Sequence, residues 1–235
     1  MNNIIFGFLL TDYKYPFFKY DTKIDTIQYM HSWHESVCRN SLKAVVFIDE
    51  PNSYLISTYE SPNISFVLTD AKPLNQMDSR WVILRDYIKN NPSIERFFIT
   101  DIGDCTILKN PFSFIEEGKV YVGDENNVVG IEWMRSRVEL IGNYECSQNY
   151  LLMRGLRLLN CGIFGGYVNT VMPTLDKVVS KLLQYNCKTD TVDMIAFNEV
   201  LHLDTFNAEI VYGKPLNTKF WDWDLYNQEC YFQHK

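Results

Sequence analysis

Short apolar runs alternate with stretches of helical spacing through the first half of the chain, and this alternation constrains the fold more than any other feature. The apolar runs lie at 4–10, 44–48, 64–68 and 95–100, and helical spacing occurs at 21–39 and 81–88. Runs without alternating polar residues are typical of strands that are buried on both faces. The pattern predicts an α/β fold with a mostly parallel central sheet, flanked by helices in the right-handed doubly wound arrangement.

The composition indicates one large hydrophobic core. The chain has 235 residues, of which 46% are hydrophobic, and no shift in composition divides it in two. We therefore expect a single domain, 1–235. The net charge of -7 and the lack of lysine or arginine runs disfavour nucleic acid or an anionic membrane as the main partner.

Neither the amino-terminal segment nor the cysteines indicate export. Residues 1–10 are apolar but too short for a membrane span, and they lack a basic lead and a cleavage site. The six cysteines form neither a CxxC pair nor a His/Cys cluster, which favours reduced thiols over a disulfide framework or a zinc site. We expect a cytoplasmic protein without a transmembrane segment, and the sequence leaves its oligomeric state open.

In the second half of the chain, the apolar runs alternate with helical spacing less regularly than in the first half. Apolar spacing predicts strands at 119–122 and 156–164 and helices at 168–185 and 191–203, whereas the polar segment 124–142 is predicted to be irregular. The aromatic residues of 221–235 either pack over the sheet edge or form a platform for a sugar ring.

The strand at 95–100 is followed by Asp101-Ile102-Gly103-Asp104, in which two carboxylates flank a glycine. The carboxyl ends of strands are where open α/β sheets bind ligands, and carboxylates suit Mg²⁺ or Mn²⁺ held against a diphosphate. A plain Asp-Gly turn explains the same residues without any function. This stretch alone leaves both interpretations open.

Three segments, in this order, resemble those of GT-A-type glycosyltransferases. They are the run from Asp78 to Phe112, which includes the Thr-Asp-x-x-Asp and Lys-Asn-Pro-Phe stretches; 159–166, similar to the family's "N-x-G-hydrophobic-x-G-G"; and 193–198, similar to its "D-Q-x-x-x-N" helix. The resemblance implies a single GT-A-like domain that is related to the Rossmann fold. Its nucleotide-binding half would be 1–112, and its acceptor- and sugar-binding half would be 113–235.

By this resemblance, Asp104 ligates a divalent metal that bridges the donor diphosphate. The family signature is Asp-x-Asp, whereas two residues separate the acids here, so Asp101 either ligates the metal directly or contacts the ribose or a metal-bound water. His234 stands where many members of the family have a further metal ligand near the carboxyl end. A tail without function would explain His234 equally well.

The resemblance also implies contacts to the nucleotide. Arg80 matches a basic position near the donor phosphates, although a solvated surface arginine is the alternative. Thr11 and Asp12, at the end of the first predicted strand, would lie over the nucleobase and ribose.

A third set of residues would surround the sugar. Asn160 offers a donor and an acceptor to hydroxyl groups, and the glycines Gly162, Gly165 and Gly166 would let the backbone approach the ring. Asp193 would face the donor sugar or the acceptor hydroxyl, as a general base or as a sugar ligand. As a helix cap, Asp193 needs no function.

Together these features imply a metal-dependent glycosyltransferase. It would move a sugar from a nucleotide-sugar, taken to be a UDP-sugar, to a hydroxyl of a glycan or similar acceptor, and Mn²⁺ or Mg²⁺ would neutralise the leaving diphosphate. A sugar nucleotidyltransferase would use the same acids and metal, and a non-catalytic glycan- or nucleotide-binding module would share the fold. Both alternatives stay open at this point.

Overall fold

A computed structural model describes residues 2–10, 22–70, 74–204, 208–219 and 229–234 of the chain. Within these ranges, no helix is both long and apolar enough to cross a membrane. None of the six cysteines, all of which lie in these ranges, forms a disulfide, in agreement with the reduced thiols that their spacing predicts.

A seven-stranded sheet forms the centre of the described structure. Its strands are β1 (Asn2–Leu9), β2 (Lys43–Ile48), β3 (Ile64–Leu68), β4 (Ile94–Thr100), β6 (Lys119–Val128), β7 (Arg157–Tyr167) and β8 (Glu209–Tyr212). Their order is β3-β2-β1-β4-β7-β6-β8, and all neighbours run parallel except β7, which is antiparallel to both β4 and β6. The α/β class with a mostly parallel central sheet is thus confirmed.

The helices of the described chain flank this sheet. They are α1 (Thr22–Arg39), α2 (Ser53–Tyr59), α3 (Gln76–Asn90), α4 (Glu132–Ile141), α5 (Tyr144–Met153), α6 (Val168–Tyr185) and α7 (Asp193–Leu203). The apolar spacing predicts α1, α3, α6 and α7, with the start of α3 placed too late. It does not predict α2, α4 and α5.

The prediction of an irregular segment at 124–142 is wrong. Strand β6 continues through Asp124 to Val128 because this stretch pairs with β7, and α4 follows almost at once. Only Met134 and Val138 of α4 are buried, one turn apart, so the helix has a narrow apolar stripe. Its burial against the rest of the protein, rather than its own apolar pattern, stabilises this helix.

Apolar side chains of the central strands enter two separate core clusters, one on each face of the sheet. On β4, Phe97 and Ile99 belong to one cluster and Phe98 belongs to the other, and on β7 the same division separates Phe164 from Ile163. Successive side chains of a strand point to opposite faces. The apolar runs therefore lack alternation because both faces of the sheet are covered.

A second, three-stranded sheet was not predicted. It contains β5 (Cys105–Ile107), β9 (Asn217–Lys219) and β10 (Phe232–His234), in the order β5-β10-β9. Of the aromatic segment 221–235, the described residues 229–234 include β10, whose Phe232 is fully buried with its ring centroid 5.1 Å from that of Phe98. This part packs into the core, whereas 221–228 and 235 lie outside the described residues. In the antiparallel pairing His234 is opposite Cys105, which places its imidazole next to Asp104.

Candidate functional site

The predicted site residues meet at the carboxyl end of β4. Asp101 follows this strand directly, and its backbone N–H donates a hydrogen bond of 3.0 Å to the carbonyl oxygen of Gly162 on β7. Helix α3 runs back across the sheet before β4 begins, so its first turns, which carry Arg80, lie at this same edge. Helix α7 also begins here, with Asp193.

Asp101, Asp104 and His234 come together in what we call the Asp-Asp-His cluster. One ligand atom from each residue lies within 4.8 Å of the others. His234 Nε2 is 3.6 Å from Asp101 Oδ2 and 3.5 Å from Asp104 Oδ1. The imidazole is 3% exposed, against 26% and 38% for the two carboxylates, so it forms the buried floor of a partly open cluster.

Neither ring nitrogen of His234 has a hydrogen-bond partner within the described residues. Buried polar groups are nearly always hydrogen-bonded, and the two carboxylates lie beyond the distance of a good hydrogen bond. Two carboxylate oxygens and one imidazole nitrogen are suitable ligands for Mn²⁺ and acceptable for Mg²⁺. The three residues could therefore hold a divalent cation.

The charges of the cluster are mutually dependent. Burial lowers the pKa of His234, but the carboxylates of Asp101 and Asp104 outweigh burial and raise it to about 9. Burial raises the pKa of Asp101, but Arg80 and His234 outweigh it and hold this pKa well below its usual range. A positive charge is thus stabilised between the acids, and a bound cation would supply that charge in place of the imidazolium proton.

The two residues between the acids explain how an Asp-x-x-Asp spacing lets both carboxylates converge. Ile102 is 2% exposed, and its side chain fills the space that a Cβ atom would need at Gly7 of β1. The ring of Tyr29 on α1 covers Gly103 so closely that a Cβ atom there would overlap the ring. Gly103 is thus required by this contact and not by a left-handed backbone.

Arg80 lies inside the protein, so its interpretation as a solvated surface arginine is wrong. Its side chain is 5% exposed, and it donates from Nη1 to Asp101 Oδ1 at 2.6 Å and from Nη2 to Asp193 Oδ2 at 2.8 Å. Because Arg80 engages Oδ1 of Asp101, the other oxygen, Oδ2, is the one that faces His234. This geometry is compatible with a single Asp101 oxygen binding a metal.

Asp193 is 3% exposed, and both of its carboxylate oxygens are engaged. Oδ2 accepts hydrogen bonds from Arg80 and from the Trp81 indole N–H, the latter at 3.2 Å. Oδ1 accepts from the Thr191 hydroxyl at 2.9 Å and from the Met194 backbone N–H at 2.8 Å. A general base needs a lone pair within reach of the attacking hydroxyl, so this arrangement suits Asp193 better for holding Arg80 in place.

Asp78 extends the same buried group, which we call the Arg80 network: Arg80, Asp193, Asp78 and Thr191. Asp78 accepts hydrogen bonds from the backbone N–H groups of Val192 and Asp193, and so caps α7. Burial, followed by the charge of Asp193, raises the pKa of Asp78 to about 7. The single hydroxyl proton of Thr191 faces both Asp78 Oδ1 at 2.8 Å and Asp193 Oδ1 at 2.9 Å, so a proton on Asp78 would complete both hydrogen bonds.

The residues of β7 divide into two groups. A Cβ atom at Gly162 would lie 2.7 Å from His234 Nε2 and 2.8 Å from Asn160 Oδ1, so Asn160 and Gly162 border the Asp-Asp-His cluster. Gly165 pairs with Phe98, further from the strand end, where a Cβ atom would collide with the Phe97 carbonyl oxygen.

The predicted placement of Gly165 and Gly166 beside a sugar is not what the structure shows. A Cβ atom at Gly166 would lie 2.9 Å from the carbonyl oxygen of Lys119 and 3.0 Å from Val171. These two glycines permit close packing inside the sheet and on α6. Thr11 and Asp12, predicted to contact the nucleotide, lie outside the described residues.

Sequence reasoning missed Glu125, Asp78 and Tyr29. Glu125 lies on the part of β6 that was predicted to be irregular, and its carboxylate accepts a hydrogen bond from the Asn160 side chain. No apolar alternation marks this stretch as a strand. The pairing of Asp78 with the residues before α7 joins segments that are far apart in the chain, and no local pattern indicates it.

Comparison with known proteins does not extend this description. No family model matches the sequence, and the search of curated proteins finds no match either. The arrangement of side chains at the end of β4 therefore carries the functional argument.

Proposed function

We propose that this protein is a metal-dependent glycosyltransferase of the GT-A type, which transfers a sugar from a UDP-sugar to a hydroxyl of a glycan or similar acceptor. The proposal rests on the three segments that resemble this family. It is supported by the way residues from all three, with His234, surround one sheet edge.

One observation carries the proposal: Asp101, Asp104 and His234 offer three ligand atoms within 4.8 Å of one another, and His234 has no hydrogen-bond partner in the described chain. Asp101 and Asp104 are close in sequence, but His234 reaches them only through the pairing of β10 with β5. The cluster lies at the carboxyl edge of the parallel strands, where sheets of this class bind ligands.

Each residue has a distinct part in the proposed reaction. Asp101, Asp104 and His234 would hold Mn²⁺ or Mg²⁺, which supplies the charge that stabilises the departing nucleoside diphosphate. Arg80 would orient Asp101 so that a single oxygen faces the ion. Asn160 and Gly162 would border the donor sugar next to the diphosphate.

Isothermal titration calorimetry with UDP and Mn²⁺ tests the proposal. We expect the wild type to bind UDP only when Mn²⁺ is present, and we expect Asp104→Asn to abolish this binding. Asp70→Asn is the matched control, because Asp70 is an exposed acid that follows the end of β3 and is not part of the cluster. A wild type that binds neither nucleotides nor nucleotide-sugars would refute the proposal.

A second candidate, a non-catalytic nucleotide- or glycan-binding module, is favoured by one observation. Asp193, predicted to be a general base or a sugar ligand, is buried, and both of its carboxylate oxygens accept hydrogen bonds. Binding of a nucleotide-sugar without hydrolysis or transfer would identify such a module. Release of UDP during incubation with the donor would exclude it.

A further inference from the structure

The Asn160 side chain connects Gly162 of β7 to Glu125 of β6 through two hydrogen bonds. Its Oδ1 accepts a hydrogen bond of 2.5 Å from the Gly162 backbone N–H, and its Nδ2 donates to Glu125 Oε1. A carboxylate only accepts and a backbone N–H only donates, so these two partners fix which end of the amide is oxygen. Since Asn160 is 7% exposed, its amide is held in this orientation.

Because Asn160 borders the Asp-Asp-His cluster, its hydrogen bond to Glu125 places Glu125 near that cluster. A Cβ atom at Gly162 would collide with Asp101 Oδ2 and would lie 2.7 Å from His234 Nε2 and 2.8 Å from Asn160 Oδ1, so these three groups crowd together over this glycine. Glu125 lies at the other end of the same amide group. A sugar joined to a diphosphate that the cluster held through a metal would lie next to the cluster, and Glu125 is the carboxylate that contacts Asn160 there.

Glu125 and its neighbour Asp124 differ in burial and partners. Asp124 is 8% exposed, and Arg157 holds both of its oxygens at 2.6 and 2.7 Å. This bidentate Arg157–Asp124 ion pair links β7 to β6. Glu125 is half-buried, and one of its partners, Asn160, is a neutral amide that itself borders the cluster.

We propose that Glu125 binds hydroxyl groups of the donor sugar and thereby determines which sugar the protein accepts, while Asn160 is the positioning residue that holds it. This inference rests on the proposed glycosyltransferase function and names the residue that would recognise the sugar. A carboxylate accepts hydrogen bonds from hydroxyl groups, and charged acceptors form the stronger ones. A site built to bind a hydroxyl also discriminates strongly against a sugar that lacks it or directs it elsewhere.

The experiment compares UDP with UDP-sugars on the same variants. Binding of UDP, UDP-glucose, UDP-galactose and UDP-N-acetylglucosamine would be measured with Mn²⁺ for the wild type, Glu125→Gln and Glu95→Gln. Glu95 is the matched control, because it is an exposed residue near the start of β4, at the opposite end of that strand. Thermal unfolding of each variant establishes that it is folded.

We expect Glu125→Gln to bind UDP with Mn²⁺ as the wild type does, but to bind the preferred UDP-sugar about tenfold more weakly or worse, as for loss of a charged hydrogen bond. Glu95→Gln should match the wild type with every probe. Asn160→Ala should weaken the discrimination among the three sugars, and it should raise KM for the donor more than it lowers kcat.

Two outcomes would overturn this inference without affecting the proposed function. One is a Glu125→Gln variant that retains the wild-type affinity and preference for UDP-sugars. The other is an equal loss of affinity for UDP and for UDP-sugars, which would assign Glu125 to the nucleotide or the metal. A wild type that binds no nucleotide at all would instead refute the proposed function itself.

Discussion

The Asp-Asp-His cluster and the Arg80 network are in contact through Asp101 of the cluster, whose two oxygens face in different directions. Oδ1 accepts a hydrogen bond of 2.6 Å from Arg80 of the network, where Arg80 and Thr191 also donate to Asp193 at 2.8 and 2.9 Å. Oδ2 faces the cluster, where His234 lies 3.6 Å away and has no hydrogen bond from the described residues.

This difference separates a scaffold from a binding site. A polar group that is complete within the protein stabilises and orients, because adding a ligand would break existing hydrogen bonds. A polar group that is left incomplete gains when a ligand binds. We therefore expect Asp101, Asp104 and His234 to bind a ligand and Arg80 and Asp193 to position them.

The largest effect that would test this division is expected at Arg80. Arg80→Met leaves the buried carboxylate of Asp193 and the partly buried carboxylate of Asp101 without their cation, and we expect the free energy of unfolding to fall by about 3 to 5 kcal/mol. Urea denaturation measures this loss. Arg135→Met is the control, since Arg135 forms an exposed pair with Glu132 and should cost about 0 to 1 kcal/mol. If both variants lost the same free energy of unfolding, Arg80 would contribute no more to stability than an arginine on the surface.

The pKa of Asp78 predicts how the stability of the Arg80 network depends on pH. Its pKa is raised from 3.8 to about 7 in the folded protein, so between these values the folded state holds a proton that the unfolded chain has released. The free energy of unfolding therefore falls as pH rises through this interval.

Asp78→Asn cannot titrate at this position, and it should flatten the profile by about 1.4 kcal/mol per pH unit at most. Chemical denaturation between pH 4 and pH 7 measures the slope. Asp176→Asn, at an exposed acid paired with Lys89, is the control and should keep the wild-type slope. A slope that is unchanged in Asp78→Asn would show that Asp78 is ionised throughout.

Gly103 tests how the cluster's turn is built. Gly103→Ala places a methyl group against the Tyr29 ring, and we expect a loss of about 1 to 3 kcal/mol from overpacking. Thermal unfolding and Mn²⁺ binding would both be measured, because a displaced turn also separates Asp101 from Asp104. Gly155→Ala meets no atom within 4 Å and should leave both quantities unchanged. A neutral Gly103→Ala variant would mean that Tyr29 moves aside easily.

The smallest effect on stability is expected at Asp104. Its side chain is 38% exposed, so Asp104→Asn should change the free energy of unfolding of the metal-free protein by less than about 1 kcal/mol. The same variant should lose the rise in melting temperature that Mn²⁺ gives the wild type. A large loss of stability without metal would place Asp104 in the scaffold and break the comparison.

The apolar patterns predict β1 to β4 and the helices α1, α3, α6 and α7, because burial on both faces of a sheet or on one face of a helix leaves a local signature. They fail for β5, β8, β9 and β10, which are short, and for α2, α4 and α5, whose burial depends on partners elsewhere in the chain. The position of Asp101 after an apolar strand predicts a ligand-binding edge, and this prediction needs only the sequence.

Tertiary structure alone decides what each acid does. Asp101, Asp104 and Asp193 are the same residue type, and nothing local distinguishes a partly exposed carboxylate from one enclosed by Arg80 and Trp81. The pairing of β10 with β5 brings His234 beside Asp104, and the pairing of β6 with β7 brings Glu125 to Asn160. The sequence by itself determined the central strands β1 to β4 and the acids that follow β4. Contacts between distant segments decided which of those acids are left incomplete, because burial and hydrogen bonding depend on the whole fold.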